Sequence, residues 1–74
     1  MKWIKIKKQP LPDPKGFLNG FSIAAFHEFY GFGSLKVVHY FDDEFNKVST
    51  WFYEKNDLMT SSIDSVTHYM EIPK

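Results

Sequence analysis

The chain has 74 residues, with nine lysines, no arginine, nine acidic residues and no cysteine, so its formal net charge is zero. This length fits one small domain, close to the lower limit at which a hydrophobic core alone suffices. Without cysteine, neither a disulfide nor a thiolate metal site can stabilise the fold. The core therefore depends on large side chains, and the eight Phe, four Tyr and two Trp provide them.

The charge is unevenly distributed and limits the kinds of partner. Residues 1–15 hold five lysines and one aspartate, a charge of +4, and residues 16–74 carry −4. A neutral chain is a poor general DNA binder, because that affinity depends on neutralised phosphates. No segment approaches the roughly 20 apolar residues of a membrane span, and no apolar run follows the first lysines as in a secretion signal. We expect no membrane partner and a location in the cytoplasm of the producing or host cell.

The first sixteen residues predict a strand followed by a connector. Residues 3–7 alternate between apolar and lysine side chains, which is typical of a strand whose lysines protect a sheet edge. Residues 8–16 contain prolines at every second position from Pro10 to Pro14. Proline disfavours both helix interiors and ladder pairing, so this segment is predicted to be an extended connector. We place it inside a single domain spanning residues 1–74.

Residues 21–30 suit either a strand or a helix. A helix would start at Ser22 and end at Gly31. We favour a strand, because Gly31-Phe32-Gly33-Ser34 then forms a hairpin loop into the next strand.

The rest of the chain predicts further strands separated by polar segments. Residues 35–42, 48–55 and 66–72 are rich in β-branched and aromatic side chains. A polar turn separates the first two at residues 42–47, and residues 58–65 are predicted to be a polar loop or a single helical turn. The fold class is therefore mainly β (all-β or α+β), a small antiparallel meander sheet of four to five strands with at most one short helix.

Several short motifs resemble an uncharacterised small domain family common in phages and prophages, domain-of-unknown-function family 551. They are Trp3-Ile4, Leu11-Pro12, a mid-chain Trp51 and the final Val66-Thr67-His68-Tyr69-Met70-Glu71-Ile72-Pro73. In the last motif the family tends to have Trp, Pro and Leu where this chain has Tyr69, Glu71 and Ile72. The resemblance implies a short, mainly β domain from a mobile element, and it implies no activity.

The three histidines are the only plausible reactive set. If the hairpin register places His27 directly opposite His39, both lie on one face, and His68 is in phase with the apolar residues of its own strand. Three imidazoles on one face could bind zinc and leave an open position. We prefer a structural interpretation in which the histidines are unrelated and His68 hydrogen-bonds nearby backbone. We therefore expect no metal, no cofactor and no catalytic residue.

Fourteen aromatic rings exceed what so small a core can easily enclose. Consecutive rings such as Trp51, Phe52 and Tyr53 must point to both faces of a strand. Exposed apolar surface marks interaction sites, and Trp and Tyr are enriched in binding hot spots. The acidic turn could meet a lysine- or arginine-rich site on a partner. The predicted partner-binding residues are Phe32, Tyr40, Trp51, Tyr53, Tyr69, Asp42, Asp43 and Glu44.

The composition thus favours a non-enzymatic binding protein that occupies the surface of a protein partner, and the resemblance implies that a phage or prophage encodes it. An inhibitor used in host takeover or counter-defence fits this size. The first alternative is a single-stranded nucleic-acid-binding module that combines the aromatics with lysines. The second is a metal-dependent enzyme based on His27, His39 and His68. A homodimer is compatible with each.

Overall fold

The computed structural model describes residues 2–6 and 11–72. These residues form one six-stranded antiparallel sheet in the order β1-β6-β2-β3-β4-β5. Within the described ranges the only helical segments are two 3₁₀ turns, Pro14–Gly16 and Ile63–Ser65. The mainly β prediction is confirmed, with six strands in place of four to five. The strands are β1 (Trp3–Lys5), β2 (Ser22–His27), β3 (Gly31–Phe41), β4 (Lys47–Lys55), β5 (Leu58–Thr60) and β6 (Val66–Met70).

Four of the six strands form the predicted meander, and the other two lie on the far side of β2. Strands β2 to β5 follow one another both in sequence and in the sheet, but β6 pairs with β2 and β1 pairs with β6. The chain therefore crosses one face of the sheet between β5 and β6, through the 3₁₀ turn Ile63–Ser65. The extra strand β5 lies in the segment predicted to be a polar loop, where its three residues pair with the end of β4.

The hydrophobic core lies on one face of the sheet. Cross-strand pairs such as Ile23–Leu35 and Val37–Trp51 place buried side chains on that face. Two segments cover it: residues 11–21, which contribute Leu11 and Phe17, and the β5–β6 connection. We call this the covered face and the opposite one the open face. The aromatic side chains divide between the two because successive strand residues point to opposite sides.

The proline-rich segment is fixed across the covered face by side chains of the sheet. The indole Nε1 of Trp51 donates to the carbonyl of Pro12 at 3.0 Å, and the Nε2 atom of His39 lies 2.7 Å from the Phe17 carbonyl. The prediction of an extended connector is wrong at Pro14–Gly16, which is a 3₁₀ turn. Proline suits the first position of a helical turn because its missing N–H has no partner there. Residues 8–10 lie outside the described ranges.

The β2–β3 hairpin turns earlier than predicted. The turn occupies residues 28–30, and the predicted loop residues 31–34 belong to β3, where Gly31 pairs with His27 and Gly33 with Ala25. The imidazole Nδ1 of His27 accepts from the backbone N–H groups of Phe29 and Tyr30 at 3.0 and 3.3 Å. This capping closes the turn, and Gly31 resumes the strand with a φ of 84°.

Position 33 of β3 requires glycine because the ring of Tyr53 packs across the backbone there. A Cβ atom at position 33 would lie 2.6 Å from both the Tyr53 hydroxyl and the Glu54 carbonyl oxygen. The glycines that suggest a loop in the sequence therefore serve close packing.

We predict that Gly33→Ala lowers the free energy of unfolding by about 1–3 kcal/mol, because the added methyl group overpacks this contact. Denaturant titration followed by tryptophan fluorescence measures the change. Gly16→Ala is the matched control, since a Cβ there meets nothing within 4 Å. Equal unfolding midpoints for the two variants would show that the Tyr53 contact does not constrain position 33.

Candidate binding site

The three histidines do not converge. The hairpin pairs Phe26 with Phe32, so His27 faces Gly31, while His39 faces Ser49 far along the sheet. His68 pairs with Lys5 and Phe26, whose side chains lie on the open face. Within residues 2–6 and 11–72, no group of three His, Cys, Asp or Glu residues is arranged to hold a metal ion. The register that would align His27 with His39 is wrong because the turn is centred on residue 29.

Each histidine instead has a hydrogen-bonding role within the fold. The Nδ1 atom of His39 lies 2.6 Å from the Ser49 hydroxyl, while its Nε2 atom contacts the Phe17 carbonyl in the segment that covers the core. The Nδ1 atom of His68 lies 2.9 Å from the Thr67 hydroxyl. That contact joins two side chains, whereas the sequence predicted a bond from this pair to nearby backbone.

The predicted partner-binding aromatics separate into core and surface residues. Trp51, Tyr53 and Tyr69 are only 4%, 0% and 2% exposed, because they lie on the covered face, beneath residues 11–21 and the β5–β6 connection. They belong to the core and lie out of reach of a partner. Phe32 and Tyr40 are exposed and lie on the open face.

The fold nevertheless leaves half of its aromatic side chains exposed to solvent. Seven of the fourteen are exposed, which confirms the prediction that the core cannot enclose them all, although only Phe32 and Tyr40 were among the residues predicted to bind a partner. They are Trp3, Phe29, Tyr30, Phe32, Tyr40, Phe41 and Phe45. Patterning alone cannot identify them, because it does not show which face of the sheet the connecting segments cover.

The β3–β4 turn carries the first concentration of exposed rings. We call Phe41, Asp43, Glu44 and Phe45 the β3–β4 tip. Phe45 is 87% exposed and has a φ of 63°, a left-handed conformation that bulky residues rarely adopt. Two backbone hydrogen bonds between the ends of the turn, each 3.0 Å long, close it.

Asp42 maintains this turn. One carboxylate oxygen, Oδ1, accepts from the backbone N–H groups of Glu44 and Asn46, each at 2.9 Å. The sequence placed Asp42 among the partner-binding acids, but its Oδ1 atom is engaged in the turn. Asp43 and Glu44 are exposed beside the two phenylalanines.

The open face carries the second concentration of rings, near the opposite end of β3. The ring centroid of Phe32 lies 5.8 Å from that of Trp3 and 4.8 Å from that of Phe26. We call these three residues the aromatic platform. Lys5 and His68 continue the cross-strand row that contains Phe26 and Phe32. Sequence analysis identified only Phe32, because the contribution of Trp3 depends on β1 lying beyond β6.

Comparisons with protein-family models, curated proteins and solved structures find no match to this chain. The resemblance in the terminal motifs therefore remains an expectation. Within the described part of the chain, no helix has the length and apolar character needed to cross a membrane.

Tyr53 joins the strands that carry both exposed groups of rings. Its hydroxyl donates to the Gly31 carbonyl at 2.9 Å, and its ring lies 4.7 Å from that of His27. Burial raises the pKa of the Tyr53 phenol above its ordinary value, because the charged form would be desolvated.

We predict that Tyr53→Phe costs about 1 kcal/mol of stability near neutral pH, through the lost hydrogen bond. The raised folded pKa predicts a further difference in alkali. Above the unfolded tyrosine pKa of about 10, the unfolded state loses a proton that the native state retains, so stability falls as pH rises. Denaturant titrations across this range should show a steeper fall for the wild type than for Tyr53→Phe. Parallel curves would contradict the assignment.

Proposed function

We propose that this chain is a non-enzymatic binding protein that occupies the surface of a protein partner through the β3–β4 tip. Exposed Phe45 with the neighbouring acids is the observation that carries the proposal. The terminal motifs support an origin in a phage or prophage, and with it an inhibitor that acts in the cytoplasm of the bacterial host during takeover or counter-defence.

Phe45 has the properties of an anchor residue. Its ring is almost entirely in water, and Phe41 adds a second exposed ring on the adjacent strand. Large side chains that enter a partner's pocket contribute most of the binding energy in protein interfaces. Burying the Phe45 ring would remove an apolar surface that the chain itself leaves uncovered.

The turn holds this anchor in a defined position. The Asp42 carboxylate and the backbone bonds between Asp42, Phe45 and Asn46 fix the conformation before any partner arrives. A preorganised anchor loses less conformational freedom on binding, so more of the contact energy contributes to affinity. This order also accounts for a phenylalanine at a positive φ, which isolated chains avoid.

The charges of the tip indicate the chemistry of the partner. Asp43 and Glu44 are exposed immediately before Phe45, and Lys47, which pairs with Phe41, is the one cation among residues 41–47. A complementary surface has an apolar pocket bordered by lysine or arginine. Opposite charges would speed the encounter and orient the two proteins.

We predict that Phe45→Asn abolishes capture of the partner while the fold persists, because asparagine tolerates the left-handed turn conformation. The measurement is affinity capture from bacterial lysate with tagged protein, followed by identification of bound proteins. Phe29→Asn is the matched control, since Phe29 is 75% exposed but lies in the β2–β3 turn. A captured partner lost equally with both variants, or with neither, would refute the tip as the contact surface.

We predict that Asp42→Ala weakens binding of that partner even though Asp42 makes no contact in the proposal, because the turn loses the acceptor of two N–H groups. Asp42→Asn retains a side-chain oxygen and should bind more tightly than Asp42→Ala. Titration calorimetry with the captured partner measures both affinities. Wild-type affinity in Asp42→Ala would show that order in the turn does not contribute.

A further inference from the structure

The aromatic platform spans several strands of the open face. Lys5, His68, Phe26 and Phe32 form one cross-strand row through β1, β6, β2 and β3. The strands of Trp3 and Phe32 are separated by β6 and β2, about 14 Å at ordinary strand spacing, yet their ring centroids are 5.8 Å apart. The two rings therefore lean towards each other over the intervening strands, where Ala24 is exposed.

The platform is accessible in the described structure. Residues 11–21 and the β5–β6 connection pack on the covered face. Phe32 is 67% exposed and Trp3 is also exposed, whereas Phe26, which contacts Phe32, is half-buried. Flat rings at several orientations on a rigid sheet can accept other flat rings by stacking.

Two lysines and one glutamate lie near the platform on the open face. Lys5 lies in the same row, and Lys36 lies on the same face in β3, where its ammonium is 3.7 Å from the Glu54 carboxylate. In sequence, residues 2–8 contain four lysines and no acid. Of these, Lys2 and Lys5 lie in the described structure, where both are exposed and flank Trp3 in the chain.

The acids of the β3–β4 tip do not cancel this local charge. Phe32 and Phe41 are nine residues apart on β3, which corresponds to about 30 Å along a strand. The screening length at physiological salt is only about 8 Å. The acids of the tip and the Lys5 ammonium therefore act independently.

We propose that the open face binds single-stranded nucleic acid, with bases stacked on Trp3, Phe26 and Phe32 and a phosphate at Lys5. Stacking platforms beside cations are the common solution for unpaired strands, and it works because every base has a π-face. A duplex conceals those faces, so its binding should be much weaker. A second copy packed on this face would bring the Lys5 ammonium groups of two chains towards one interface, which their mutual repulsion opposes. This inference is independent of the proposed contact at the β3–β4 tip.

The test is fluorescence anisotropy at low salt with labelled oligothymidylate and oligouridylate, each of about 10 nucleotides to match typical site sizes. We expect binding of one or both strands, with an unlabelled DNA duplex competing poorly. Phe32→Leu retains an apolar side chain but removes the ring, and it should weaken binding about tenfold. Phe32→Tyr and Phe29→Leu should bind as the wild type does.

The salt dependence of binding and the oligomeric state of the protein also test the proposal. Lys5→Gln should lower the slope of log affinity against log salt by about 0.7, the value for one phosphate contact on a single strand. Absence of oligonucleotide binding, or equal affinities for Phe32→Leu and Phe32→Tyr, would overturn the proposal. So would a dimer in analytical ultracentrifugation that Phe32→Leu converts to monomer, because a second copy would then cover the platform. Phe45→Asn should leave oligonucleotide affinity unchanged, so failure here is distinguishable from failure of the protein-binding proposal.

Discussion

The packing of the Tyr53 ring across Gly33 is the contact on which the rest of the sheet depends. The phenol fills the space left by the missing side chain, donates to the Gly31 carbonyl and lies beside the His27 imidazole. It thereby joins β2, β3 and β4 at the end where the β2–β3 hairpin turns. A side chain at position 33 would force these strands apart, and the registers that place Phe26 opposite Phe32 would lose their support.

The connecting segments cover only one face of the sheet, and this explains why so many aromatic side chains are exposed. Both long connections cross the same face, so that face supplies the whole buried core. With one layer of connecting segments on one sheet, a chain of 74 residues leaves seven aromatic side chains exposed. These rings are grouped at the two ends of β3, where strand edges and turns bring residues distant in sequence together.

The two ends of β3 differ in the charged residues beside their rings. Asp43 and Glu44 accompany the rings at the β3–β4 tip, and Lys5 lies in the cross-strand row of the aromatic platform. Because the separation exceeds the screening length, the charges at one end have little effect at the other.

The sequence by itself determined the mainly β class, most of the strands, a polar turn beginning at Asp42 and the excess of ring surface, because alternation and composition are local properties. Only the tertiary structure decided that β6 inserts between β1 and β2, that the hairpin glycines lie inside β3, and that Trp51, Tyr53 and Tyr69 are buried whereas Trp3 is exposed. Alternation assigns residues to two faces but does not show which face the connections will cover. That choice depends on contacts between segments far apart in sequence, such as Trp51 with Pro12 and His39 with Phe17.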